Sequence, residues 1–171
     1  MLFNHKDEVT HQLKNIVTQD NGGVKIDNAE KLRGDVLDQL ILNAVLNPSA
    51  EIKGLSRFLI KSAAQELGIV TSSIQGLYDA RGRGEVKGFT VPALNIRGLP
   101  YELCRAIFRT AIKTNAGAFI FELAKSEMGY TFQKPQELST VILTAAIKEG
   151  FTGPVFIQGD HFQVNAKNYA Q

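Results

Sequence analysis

The residues best equipped for chemistry stand at the ends of three apolar runs. The run at residues 89–95 (FTVPALN) ends in Asn95, with Arg97 two places on. The run at 118–123 (AFIFEL) carries Glu122 near its end, and that at 154–159 (PVFIQG) leads into Asp160 and His161 behind Gln158 and Gly159. Brought to one mouth, these residues would supply an amide, a guanidinium, two carboxylates and an imidazole, as a site for an oxygen-rich small molecule requires. In the Asp160-His161 pair, a neutral imidazole is a good zinc ligand and the adjacent carboxylate can move protons. Each residue also has a plainer reading. Asn95 could cap a turn, Glu122 could pair with Arg97 or Lys125, and Asp160 could cap a following helix beside a solvent-facing His161.

Whether these residues meet depends on the elements that carry them. Between the first two runs, Pro100 sits at a first-turn position, and Cys104, Ile107, Phe108, Ala111 and Ile112 repeat at helical spacing until Asn115 to Gly117 end the pattern. Between the second and third, Pro135 opens a helix with Leu138, Val141, Ile142, Ala145 and Ala146 on one face, and Gly150 closes it. Strands separated by helices of this length cannot pair as hairpins. They are expected to lie parallel with right-handed crossovers, and parallel α/β folds place ligand sites at the carboxyl ends of their strands.

Upstream, residues 2–68 read as helical, with breaks at Asp20 to Gly23 and at Asn47-Pro48. A second helix is expected to start at Asp27, with Glu30 completing a capping box, and to bury Leu37, Leu40, Ile41, Ala44 and Val45. A third runs from Ser49, buries Ile52, Leu55, Leu59 and Ile60, and stops at Gly68. These helices could cover the bottom of the sheet or form a contact between copies in a homo-oligomer; apolar stripes alone leave both open. Residues 72–88 read as a short helical turn and a glycine-broken basic loop, RGRGEVKG.

Bulk properties narrow the function classes. The 171 residues are 44% hydrophobic, and 19 basic against 17 acidic side chains leave a net charge of +2. That balance gives no field to attract nucleic acid or an anionic membrane, and RGRGEVKG lacks the interleaved aromatics of a nucleic-acid loop. The polar start of the chain and the absence of any run of ~18 apolar residues lead to the expectation of a cytoplasmic protein. The single cysteine, Cys104, lies among apolar neighbours and is expected to be a buried thiol rather than a nucleophile.

On two motifs the chain resembles the class II, zinc-dependent aldolases that act on fructose and tagatose bisphosphates. GFTVPALNIRG is similar to that family's opening strand, with its VPA-x-N pattern, and GPVFIQGDHFQ to its third strand, which ends in Asp-His. The resemblance covers residues 88–171. It implies an α/β fold in which these residues form the first βαβαβ part of an incomplete (β/α)8 TIM barrel, preceded by a helical extension over residues 1–80. It implies a glycolytic type of lyase activity in carbohydrate metabolism, with His161 as a zinc ligand, Asp160 as the catalytic acid/base, and Asn95 and Glu122 as contacts to a phosphorylated sugar. The second strand departs from the family, which usually has Gln and, two residues later, Ser where this chain has Glu122 and Ala124.

FIFELAKSEMGYTFQKP and the glycine before Asp-His also resemble the non-catalytic TIM-barrel accessory subunit of tagatose-bisphosphate aldolase, which is the alternative. The chain holds three histidines, His5, His11 and His161, and the first two read as surface residues. The other zinc ligands are therefore expected outside this chain. A closed barrel takes ~250 residues, so the chain is expected to be the amino-terminal portion of a longer protein, inactive and poorly stable by itself.

Overall fold

The computed structural model of the chain describes residues 1–20, 22–163 and 166, and shows a mixed α/β protein built on a parallel sheet. Residues 164, 165 and 167–171 of the expected 88–171 segment lie outside the described residues. In chain order the elements are α1 (Lys6–Gln12), β1 (Val17–Asp20), β2 (Gly23–Ile26), α2 (Ala29–Lys31), a π-helical stretch (Leu32–Val36), α3 (Leu37–Leu46), α4 (Ala50–Glu66) and β3 (Ile69–Ser72). There follow α5 (Gln75–Gly82), β4 (Ala93–Asn95), α6 (Pro100–Thr114), β5 (Ile120–Ala124), α7 (Glu127–Thr131), α8 (Pro135–Glu149) and β6 (Gly153–Asp160).

The three expected strands pair as consecutive parallel neighbours, β4 with β5 and β5 with β6. Their bounds shift slightly. The first run enters the ladder only at Ala93, after Pro92, which has no N–H to donate but whose carbonyl accepts from Ile120 N at 2.9 Å. A fourth strand, β3, was not expected; it lies parallel against the outer edge of β6, giving the order β3-β6-β5-β4. Only four residues long, it has no room to display a period of its own between α4 and α5. In a barrel wound in sequence order, that edge of β6 is where the next strand would pair. Here a strand from earlier in the chain holds it.

The amino-terminal region is not all helical. Residues 17–26 form an antiparallel hairpin with Asp20 opposite Gly23, so the break at Asp20 to Gly23 is a strand-to-strand turn rather than a gap between helices. Gly22 has φ +89°, a conformation open to glycine at little cost. The cap of the next helix also differs from expectation. Asn28, not Asp27, accepts from Lys31 N at 2.9 Å, because Asp27 is engaged by the Thr18 hydroxyl at 2.6 Å. Ser49 caps α4 as expected, accepting from Ile52 N, and Gly68 ends that segment in the left-handed region.

Alternate residues of β5 serve two cores. Phe121 and Leu123 join a cluster with Cys104 and Phe108 of α6, Val141, Ile142 and Ala145 of α8, and Leu37, Leu40 and Ile60 from the amino-terminal helices. The helical extension and the βαβαβ segment thus share one core. Phe108 is its aromatic centre, with ring centroids 4.9 to 5.7 Å from Phe119, Phe121 and Phe151. Along α6, Cys104, Phe108 and Ala111 of the expected stripe are buried, Ile107 is partly buried and Ile112 is half exposed. Ala118 and Ile120 face the other way, into a small cluster with Ile74, Leu77, Phe89, Val91 and Phe156.

The carboxyl end of α8 is fixed to the kinked π segment. Lys148 Nζ donates to the Gly34 carbonyl at 3.0 Å and pairs with Asp38 at 2.7 Å, while Arg33 Nε donates to the Ile147 carbonyl at 2.9 Å. Asn115 and Gly150, both left-handed, end α6 and α8 at the expected places.

Phe108 is fully buried, so Phe108→Ala opens a cavity under β5. Urea unfolding followed by circular dichroism is expected to show a loss of about 3–5 kcal/mol. A loss below about 1 kcal/mol would contradict the packing described.

Candidate functional site

The β-ladder register settles which strand-end residues meet. Asn95 is opposite Glu122, and Glu122 is opposite Gln158, so the three form one lateral row across β4, β5 and β6. Asp160 lies one pleat further along, opposite Ala124, and points to the same face because side chains on a strand alternate. The backbone extends the pairing past the strand, with Lys125 N donating to the Asp160 carbonyl at 3.2 Å.

Within this group the polar side chains pair crosswise. The Asn95 amide donates from Nδ2 to Asp160 Oδ2 at 3.4 Å, joining the first strand to the third. The Gln158 amide donates from Nε2 to Glu122 Oε1. Each carboxylate therefore accepts from one neutral amide, and Asn95 and Asp160 meet across β5, which lies between their strands. Asn95 does not spend its side chain on a turn, and Glu122 takes neither Arg97 nor Lys125 as its partner.

His161 leaves the strand with φ +54°, and its imidazole is 76% exposed, with Nε2 3.4 Å from Asp160 Oδ1. The Phe162 ring lies over Gly159, where an added Cβ would sit 2.5 Å from it, so a side chain at position 159 would displace the ring. Among the described residues that follow, 161–163 are not helical. The Asp160 carboxylate, 32% exposed, remains at the mouth.

Arg97 goes elsewhere than sequence reasoning suggested. Its guanidinium pairs with the carboxylate of Glu127 at the start of α7, whose side chain is only 7% exposed, and this pairing, with help from Tyr130, holds the guanidinium in its charged form. The result ties the loop after β4 to the loop after β5. Neither Glu127 nor the short helix α7 was anticipated, since EMGYT is too brief to show helical periodicity.

A concavity of about 510 Å³ lined by Ser72, Ile74, Tyr78, Ile120, Phe156 and Gln158 shares Gln158 with the polar row but is not lined by Asn95, Glu122, Asp160 or His161. Its volume falls in the range of small-molecule sites. A larger one, about 650 Å³, lies between α1 and the π segment, lined by Met1, Phe3, His11 and Gln39, and contains none of the strand-end residues. His5 and His11 are exposed there, as expected. In the Arg-Gly segment, Arg83 pairs with Glu85 at 2.6 Å, both exposed, and Arg81 donates to the Phe89 carbonyl at 2.7 Å, so each guanidinium already has a partner within the chain.

As to a metal, the exposed His161 imidazole is a suitable single ligand. Its Nε2 faces a carboxylate, the usual outer-shell partner of a metal-binding histidine, which leaves Nδ1 for the ion. Among the described residues no group of three His, Cys, Asp or Glu side chains could hold a metal ion. Nor is any helix among them long and apolar enough to cross a membrane. No family model, curated protein or solved structure matches the chain.

Cys104 is fully buried, and desolvation pushes its thiol up to about 12. At pH 8 the native protein is therefore expected to leave iodoacetamide unreacted and to be alkylated fully in guanidinium chloride. Rapid native alkylation read by mass spectrometry would contradict a purely structural thiol.

Proposed function

We propose that this chain carries the strand-end chemistry of a class II aldolase-type lyase, cleaving or condensing a ketose bisphosphate such as fructose 1,6-bisphosphate. The observation that supports it best is the meeting of Asn95, Glu122 and Asp160 from three consecutive parallel strands, with His161 at the turn that follows. On this reading β4, β5 and β6 are the first three strands of a TIM barrel and the polar face is its interior; continuing the barrel requires β3 to give up the edge of β6 that it holds here.

Asp160 is placed to act on protons, since its carboxylate is accessible at the mouth and one oxygen is already steadied by Asn95. In cleavage it would take the proton of the hydroxyl at the breaking carbon–carbon bond, and in condensation it would return it. Asn95 and Glu122 would hold neighbouring hydroxyls. His161 would supply one ligand to zinc, the others coming from outside the described residues. Zinc, when bound, polarises the ketose carbonyl and stabilises the ene-diolate charge.

Protein purified from its own cells with its natural assembly intact is the proper subject of the test. Asp160→Asn is expected to lower fructose 1,6-bisphosphate cleavage about 10²–10⁴-fold at unchanged zinc content. His161→Ala is expected to remove both zinc and activity. Wild-type turnover after Asp160→Asn, or zinc content unaltered by His161→Ala, would refute the reading. Full activity of the assembled complex after both changes would assign the chain to the non-catalytic accessory role.

A further inference from the structure

Gln158 belongs to the polar row, yet the resemblance assigns it no role. Its amide donates to Glu122 Oε1, its strand position is directly opposite Glu122, and it also lines the concavity of about 510 Å³. A glutamate on a strand has several rotatable bonds, and a single directed amide donor restricts that freedom. With Oε1 engaged, Oε2 of Glu122 is left as an acceptor for a ligand.

The balance of charge around the row limits what that ligand can be. Glu122 and Asp160 are the two carboxylates; each accepts from a neutral amide, and the one ionisable donor beside them is the His161 imidazole, 3.4 Å from Asp160. The guanidinium closest in sequence, Arg97, is committed to Glu127. An anion placed beside two carboxylates is repelled, whereas a hydroxyl donates readily to either. Gln158 and Asn95 can in turn donate to, or accept from, the same hydroxyls, because each amide has two N–H groups and a carbonyl.

We infer that Gln158 is a positioning residue that holds Glu122, and that Asn95, Glu122, Gln158 and Asp160 form a hydroxyl-recognising subsite that takes the uncharged polyol chain of a sugar while leaving its phosphates outside. The choice of a sugar rests on the proposed lyase reading; the preference for hydroxyl over phosphate rests on the charges alone.

The test uses the full chain, labelled with ¹⁵N, titrated in turn with unphosphorylated fructose and with inorganic phosphate. Fructose is expected to shift the side-chain amide signals of Asn95 and Gln158, and phosphate to leave them in place. Gln158→Met keeps the length of the side chain without its amide, and is expected to weaken fructose binding about tenfold with Tm unchanged. Glu122→Gln, which preserves volume, reads the same contact from the other side and should give a similar loss should Gln158→Met fold poorly.

Shifts produced by phosphate, no shift at saturating fructose, or wild-type fructose affinity in a folded Gln158→Met or Glu122→Gln protein would each overturn the inference. Gln158-dependent fructose binding in a protein that cleaves no ketose bisphosphate would leave the subsite standing and remove the lyase. Cleavage that persists while Gln158→Met leaves fructose affinity untouched would do the reverse.

Discussion

β5 is hydrogen-bonded along both edges, to β4 on one side and β6 on the other, and every polar contact at the mouth depends on that double pairing. Parallel ladders fix which residues stand opposite one another, and a slip of one place would turn each side chain to the opposite face. In the observed register, Phe121 and Leu123 point into the helix-covered core while Ile120 and Glu122 point away from it. The apolar side chains therefore hold the register that the polar ones use. Burying Phe121 against Phe108 is inseparable from presenting Glu122 between Asn95 and Gln158.

The two faces of the sheet are treated differently. One is packed by α6 and α8, with α4 directly against β3 and α3 against α4 and α8, in a continuous core that includes the amino-terminal helices. The other is apolar only at its lower end, where Ile74 and Leu77 close over Ile120 and Phe156 beside Phe89 and Val91. Above that plug the face turns polar. Such a division suits a pocket with an apolar floor and directed polar groups at its mouth, and it explains how carboxylates sit beside a hydrophobic sheet without being buried in it.

Much of this arrangement was legible in the residues. Pro100 and Pro135 mark helix starts, Asn115 and Gly150 mark helix ends, and the apolar runs between them are long enough to recognise as parallel strands. That placed Asn95, Glu122 and Asp160 on one edge of the sheet, and the structure brings them together there. β3 and α7 were not legible because so short a segment displays no period and, unlike β4 and β5, neither lies in a longer apolar run. The hairpin over residues 17–26 has strands of only four residues, so the apolar pattern around it reads as an interrupted helix. Partner choice was the least legible feature. Arg97 stands near Glu122 in any strand-end tally, yet it reaches Glu127, and Glu122 is answered by Gln158, because which side chains meet depends on loop paths that composition does not specify.

The most direct measurement of the central claim is a set of through-space contacts between backbone protons in the folded chain, observed by nuclear Overhauser spectroscopy. The account predicts parallel-strand contacts linking Asn95 with Glu122 and Glu122 with Gln158, together with a contact from the Asn95 side-chain amide to the Asp160 methylene. Antiparallel contacts between any two of these strands, or β6 contacts placed away from β5, would contradict it.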